Sequence, residues 1–267
     1  NRRLHVARTV KKGSSTWHSV YQEFDSKGRV VLQAKNSAIS SVGLDCAVTL
    51  KDDEGLIRTY EYDGTSGLRK AAYLQRGDGA HDKTKLWART FTERKPGDVA
   101  IYKLHQETHY RGASATGSDP VTTTHTYTWY QDASSNETFQ VEKKTVTLPA
   151  VPSSQNGSGV EDTRESHFDT WGFLTKEVNE RGVATTYQYD VLRGAMTQMV
   201  RNDVGVDPDP LPDDTNLVTD YEIDDLGRTI KQLGPVHTID LEDTLTKIRS
   251  GVWTHYRDAE EEVITIQ

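Results

Sequence analysis

With one cysteine, Cys46, the chain has no second thiol for an internal disulfide, which excludes a disulfide-stapled miniprotein. Only 2 methionines and an apolar share of 34% in 267 residues speak against a thick core, since ordinary domains carry roughly 45–50% with glycine included. No run of about 18 apolar residues occurs, so no membrane-spanning helix is expected in this segment. Positive charge is also short: 32 Lys and Arg against 40 Asp and Glu leave a net charge of -8. Such a balance repels a phosphate backbone and excludes nucleic acid as the expected partner. The chain starts at Asn1 without an initiator methionine or signal pattern and stops on the alternating Ile264-Thr265-Ile266-Gln267. It reads as an internal piece of a longer chain.

The residues that can bury area are of one kind. Twelve tyrosines and five tryptophans, with many Thr and Val, suit pleated half-exposed sheets better than helices. A short unit also recurs, aromatic-x-aromatic-Asp followed by glycine. Its cleanest copies are Tyr21-Gln22-Glu23-Phe24-Asp25-Ser26-Lys27-Gly28-Arg29 and Tyr221-Glu222-Ile223-Asp224-Asp225-Leu226-Gly227-Arg228. Shifted or incomplete copies are Tyr60-Glu61-Tyr62-Asp63 reaching Gly67, His167-Phe168-Asp169 reaching Gly172, and Tyr187-Gln188-Tyr189-Asp190 reaching Gly194. Fainter echoes stand at Tyr127 to Asp132 and at Trp253 to Asp258.

Each copy is a hairpin in physical terms. Residues two apart in a strand share a face, so Tyr60 with Tyr62, and Tyr187 with Tyr189, set two rings on one side. The aspartate accepts from backbone N–H groups ahead of it and the glycine takes positive φ, which closes a loop of three to five residues on a type I turn. A lone hairpin is marginal in water, so the units must lie side by side, with rings stacking between repeats. Arg29 and Arg228, just past the glycines, are expected to pair with turn carboxylates of neighbouring units. Asp169 to Asp190 spans about 21 residues, near one minimal unit, while Asp190 to Asp224 spans about 34 and implies an insertion.

These motifs resemble the YD-repeat or Rhs-repeat family, which includes bacterial Rhs proteins, cocoon subunits of toxin complexes and the teneurins. The resemblance covers most of the chain, from about Tyr21 to Asp258, though 64–166 carries no good copy. It implies an all-β fold of antiparallel hairpin repeats forming a spiralling sheet, shell or tube segment, in toxins enclosing a C-terminal polypeptide. The family's self-cleavage motif is not recognisable: Asp207-Pro208 and Asp209-Pro210 lack the following glycine.

Composition divides the chain into a degenerate repeat sheet with insertions over 1–148, a loop or soft boundary over 149–163, and more regular hairpins over 164–267. The last part holds an acidic, proline-rich insertion near 203–216, expected to protrude. Further strands are expected at Leu86 to Glu93, Val99 to Tyr110, Val121 to Tyr130 and Phe139 to Leu148. His237 to Arg249 is the one segment whose apolar spacing admits a helix.

No catalytic, cofactor or metal site is assigned. His105-Gln106-Glu107-Thr108-His109 has the wrong order for a zinc-protease helix; on a strand its three ligand types would share a face, and an ordinary polar face is the favoured reading. The acidic loop at Asp207 to Asp214 lacks the glycine and bidentate glutamate of an EF-hand and reads as solvated loop. Asn136-Glu137-Thr138 and Asn156-Gly157-Ser158 match the glycosylation pattern by composition alone. The expected function is a non-enzymatic scaffold in an exported or cell-surface protein. Expected partners are the remainder of the same polypeptide or identical neighbouring chains, and then an enclosed C-terminal polypeptide or surface glycans. A carbohydrate-binding or adhesion module is the first rival, and a hydrolase with an unrecognised site the second.

Overall fold

The structure is a computed structural model that describes residues 9–12, 15–18, 20–43, 47–79, 83–134, 136–202, 216–241, 244–257 and 262–266. Cys46, Asp258 and the acidic insertion 203–215 lie outside the described residues. Among those described there is no α-helix, and the strands are β1 Thr9–Lys12, β2 Ser15–His18, β3 Val20–Phe24, β4 Val30–Lys35, β5 Ile39–Val42, β6 Val48–Leu50, β7 Leu56–Tyr62, β8 Arg69–Arg76, β9 Thr84–Arg94 and β10 Ile101–Gly112. They continue with β11 Ser118–Gln131, β12 Glu137–Thr147, β13 Thr163–Phe168, β14 Leu174–Val178, β15 Ala184–Asp190, β16 Ala195–Asn202, β17 Asn216–Ile223, β18 Thr229–Leu241, β19 Thr244–Arg257 and β20 Glu262–Ile266. The expected all-β fold is what the chain adopts.

Strands β3, β4 and β7 to β20 hydrogen-bond in one 16-stranded antiparallel order, in which nearly every strand lies beside its sequence neighbour. That order follows from short connections, since a chain leaving one strand by a tight turn can only return beside it. The segment 237–249 contributes to β18 and β19 with His237 opposite Ile248, so its apolar residues follow the pleat and not a helical stripe. The chain divides into two compact units, Asn1–His125 and Thr126–Gln267, with the division inside β11.

In the first unit the core is small and local. Tyr21, Ala34, Ala38, Ile39 and Ile57 are buried together, with Leu32, Val42, Val48 and Leu50 packed against them. The β5–β6 hairpin interrupts the repeat between β4 and β7 and supplies Ile39, Val42, Val48 and Leu50 to this cluster, so it covers one face of β3, β4 and β7. Its base is tied down by backbone bonds from Lys51 N–H to Ala38 O (2.9 Å), Asp78 N–H to Lys51 O (2.8 Å) and Gly79 N–H to Asp52 O (3.0 Å). Longer strands follow, where β9 and β10 pair from Ile101 opposite Arg94 to His109 opposite Trp87.

In the second unit most strand residues are half-buried, as a single layer of sheet requires. The loop 149–162 between β12 and β13 is exposed yet folded on itself: Gly157 N–H donates to Pro152 O (3.1 Å), Gly159 N–H to Val151 O (2.9 Å), and Leu148 N–H to Asp162 O (2.8 Å) closes its neck. Arg249 staples three strands. Its guanidinium reaches Asp220 Oδ2 at 2.7 Å, Leu233 O at 3.0 Å and Val218 O at 3.2 Å, across the bulge in β18.

Candidate functional site

The structure concentrates its repeated chemistry where the hairpins reverse. At Asp25 the backbone N–H donates to Arg29 O (2.9 Å) and Gly28 N–H donates to Asp25 O (3.1 Å). The side chain completes the turn, Oδ1 accepting from the N–H groups of Lys27 (2.8 Å) and Arg29 (2.9 Å). Gly28 sits at φ +77°, where a Cβ would be strained. Asp224 repeats the pattern, with Oδ1 accepting from Leu226 and Arg228 N–H, both at 2.9 Å, and Gly227 at φ +76°. Asp169 does the same toward Trp171 (3.0 Å) and Phe173 (2.9 Å), with Gly172 at φ +91°.

Two more turns share this construction, one outside the repeat motif and one at its faint echo. Asn179 Oδ1 accepts from Arg181 and Val183 N–H, both at 3.0 Å, with Gly182 at φ +78°, because a neutral amide oxygen serves as well as a carboxylate. Asp132 accepts from Ser134 and Asn136 N–H, both at 2.8 Å, within the stretch that lacks a good copy. There Asn136 Nδ2 donates to Asp132 Oδ2 at 2.9 Å, giving this residue of the glycosylation-like triplet a structural use. Asp63 and Asp190 close longer variants, in which Gly67 N–H and Gly194 N–H donate to the aspartate carbonyls at 3.0 and 2.8 Å.

Arg29 and Arg228 differ from expectation. Each folds back on its own turn, Nε donating to Asp25 Oδ2 and Asp224 Oδ2 at 2.7 Å, because four residues across a tight reversal bring the pair together. They reach the next hairpin by a different route. The Arg29 guanidinium lies 4.2 Å from the centre of the Tyr62 ring, and Tyr62 Oη donates to Val30 O at 2.8 Å. The Arg228 guanidinium lies 4.2 Å from the centre of the Tyr256 ring, and Tyr256 Oη donates to Thr229 O at 3.2 Å. At the Asp169 turn the equivalent residue is Phe173, whose ring stacks on Tyr189 at 4.9 Å and 19°. At these three turns a planar group just past the glycine thus lies on an aromatic ring of a neighbouring hairpin. Neighbouring carboxylate pairing falls instead to Arg193, which holds Asp190 Oδ2 at 2.8 Å and Asp225 Oδ1 at 3.0 Å.

The remaining motif residues bond within their own hairpin or to the strand of the hairpin beside it. Tyr21 is buried and its Oη donates to Glu23 Oε1 (2.9 Å); Phe24 ends β3 opposite Val30. Tyr60 Oη donates to Gln33 Oε1 (3.1 Å) while Arg69 covers its ring at 4.0 Å. Phe168 offers its carbonyl to Tyr130 Oη (2.7 Å), and Tyr221 lies opposite Gln232. Tyr187 Oη donates to Glu177 Oε2 (2.8 Å); burial first, then that carboxylate, pushes the phenol up to about 12.

Replacing Tyr62 or Tyr256 by phenylalanine keeps the ring on its arginine and removes one bond to the adjacent hairpin. Each change is expected to cost about 0.5–1.5 kcal/mol in urea unfolding. An unchanged midpoint in both variants would mean the hydroxyls contribute nothing to joining hairpins.

Electrostatics favour the turns at neutral pH. Backbone donation from Arg29 holds Asp25 below the ordinary aspartate range, that from Ser66 does so for Asp63, and that from Arg193 for Asp190. At Asp132 the Asn136 amide is the leading cause. For Asp224, desolvation pushes the carboxyl up, and donation from Arg228 and Leu226 outweighs it. Since the folded-state values are depressed, the contribution is complete above the unfolded value and is lost as pH falls through the folded one. Unfolding midpoints are therefore expected to stay flat from pH 7 to about 5 and to fall below about pH 4. A drop centred near pH 6 would point to histidines instead.

The candidate ligand strand resolves into ordinary pairing. Strand β10 bulges between Leu104 and Gln106, and His105 Nδ1 lies 3.2 Å from His125 O, which separates it from the other two. Glu107 accepts from Arg89 Nε at 2.7 Å and lies 3.7 Å from His109 Nε2. Desolvation pushes Glu107 up, and Arg89 with His109 brings it below its usual range. Among the described residues no three His, Cys, Asp or Glu are grouped to hold a metal.

Fold and turns together define a class: an antiparallel sheet of hairpins, locked by Asp or Asn side chains and, at three of the turns, joined by a planar contact past the glycine. Comparison with solved structures finds the same kind of fold in a chain of the crystal structure of TcdB2-TccC3-Cdc42, with a TM-score of 0.52 and 15% identity over 95% of this chain. This chain spans 10% of the length of that one, and at such identity the likeness concerns fold alone. A chain of TcdB2-TccC3-TEV is matched over 92% of this chain and 11% of its own, at 13% identity and a TM-score of 0.44, too low to carry an argument. No family model and no curated protein matches the chain.

Proposed function

We propose that the chain is a non-enzymatic wall, a stretch of β-hairpin repeats within a larger exported or cell-surface protein of the YD-repeat kind, which encloses a cavity holding another part of the polypeptide. The observation that carries this reading is the contact between hairpins: Arg29 on Tyr62, Phe173 on Tyr189 and Arg228 on Tyr256. Contacts of that type spend the aromatic and cationic side chains on cohesion of the sheet, which is what a wall requires and a catalytic cleft does not. The recurrent aspartate-glycine turns of the sequence support it, as does the fold shared with the much longer TcdB2-TccC3-Cdc42 chain.

Limited proteolysis of the complete protein tests it. An enclosed polypeptide is expected to resist protease in the native protein and to become cleavable when Tyr62 and Tyr256 are both changed to alanine. Equal cleavage of all other parts of the native polypeptide, before any wall mutation, would overturn the reading.

A further inference from the structure

Asn156-Gly157 is the one Asn-Gly pair in the chain. The pair carries a chemistry of its own: a glycine nitrogen, with no side chain crowding it, can attack the preceding asparagine carboxamide and expel ammonia. Asn156 is exposed in the loop between β12 and β13, where water and hydroxide reach it. Exposure by itself would make the pair labile. The folded loop opposes the reaction at two atoms.

The first is the carboxamide carbon. Asn156 follows the short 3-10 turn Ser153–Gln155 and sits in the left-handed region, at φ 61° and ψ 25°. Asparagine tolerates that region because its short side chain bonds locally. At this ψ the Gly157 nitrogen lies across the Cα–C bond from Cβ, so Cγ cannot come within bonding distance of it. Ring closure requires most of a half-turn about that bond. The second atom is the nucleophile. Gly157 N–H donates to Pro152 O at 3.1 Å, which shields the proton that must leave before the nitrogen attacks. Neither constraint relaxes alone. Asn156 N–H donates to Ser153 O (3.1 Å) and Gly159 N–H to Val151 O (2.9 Å), and Gly157 lies so close to Val151 that a Cβ would run into its carbonyl.

We propose that Asn156 is a modification site whose reaction the fold withholds: the closed loop keeps asparagine, and the opened loop converts it through a succinimide to aspartate or isoaspartate. Hydroxide and water are the co-reactants. The Gly157 nitrogen loses its proton to hydroxide and bonds to Asn156 Cγ; the Cγ–Nδ2 bond breaks, and the amide leaves as ammonia with a proton from water. One water then opens the ring, and nothing is oxidised or reduced. Opening at the side-chain carbonyl gives aspartate, which takes the same left-handed turn. Opening at the main-chain carbonyl gives isoaspartate, whose backbone is longer by one carbon, about 1.5 Å. Gly157 has no room against Val151 for that carbon, so the isoaspartate loop does not close again. The change runs one way, and its rate reports how often this loop opens. The inference does not rest on the wall reading.

Peptide mapping of the intact chain, held at mildly alkaline pH either native or in urea, tests it. Isoaspartate at position 156 is expected to form at least about tenfold more slowly in the native chain, because the loop is open for a small fraction of the time. Gly159→Val leaves the Asn-Gly pair intact and forces a β-branched residue to φ +74°. Native conversion should then rise at least about fivefold, with no change in urea. Pro152→Gly gives the open loop more freedom and should act in the same direction, serving where valine prevents folding. In the isoaspartate product the Gly159 amide should exchange freely, while in Asn156→Asp it should keep its protection. The proposal is overturned if native and urea-unfolded chains convert equally, if neither variant speeds native conversion, or if the isoaspartate chain retains protection at Gly159.

Discussion

Alanine at Gly77 is expected to destabilise the first unit by about 2–5 kcal/mol, seen as a lowered urea midpoint. Gly77 sits at φ +64° just beyond β8, where the chain passes against the segment leaving β6. A Cβ there would lie 2.0 Å from Asp52 O and 2.7 Å from Asp53 N, backbone atoms that cannot swing aside. The same crossing holds the bonds Gly77 N–H to Gly55 O (3.0 Å) and Gly79 N–H to Asp52 O (3.0 Å), and Gln75 Nε2 donates to Gly77 O (2.8 Å). Moving Asp52 away would break these together. Gly28→Ala is the control: it shares the positive φ but has open space around it, so its cost should stay near 1 kcal/mol. Equal losses for the two would show that close approach at Gly77 plays no part.

Ile57→Ala is the second large effect, about 2–5 kcal/mol. Ile57 is fully buried at the centre of Tyr21, Ala34, Ala38 and Ile39, where the β5–β6 hairpin lies on the sheet. A thin sheet has little other interior to share the loss, so the cavity should loosen that hairpin first. Hydrogen exchange at the Lys51 amide, bonded to Ala38 O, should accelerate in the variant while the amide of Arg228, in the second unit, keeps its protection. Uniform acceleration across both units would contradict a local core.

The β character of the chain was legible because tyrosine, threonine and valine alternate with polar residues, a period that only a pleated strand can use. Asp25, Asp63, Asp169, Asp190 and Asp224 were legible for a related reason: a short acceptor followed by a glycine has few other conformations to satisfy. Asn179 falls outside the motif because the motif has a carboxylate at this place, although Asn179-Glu180-Arg181-Gly182 offers the same oxygen and the same glycine. Asp132 was seen only as a faint echo, since Asn136 takes the place of the arginine. Strand spacing around His105 misled because a one-residue bulge breaks the alternation, and nothing local to that segment announces it.

What the sequence by itself determined is local: which residues pleat, where the chain reverses, and which side chain closes each reversal, all decided by atoms within about five residues of one another. Only the tertiary structure decided the partners across hairpins. Arg29 meets Tyr62 because β4 pairs with β7 across the inserted β5–β6 hairpin, Arg228 meets Tyr256 because the register of β18 on β19 sets them side by side, and Ile57 is buried because the inserted hairpin folds onto it. Register depends on the sum of many weak pairings along whole strands, a quantity that no short motif contains.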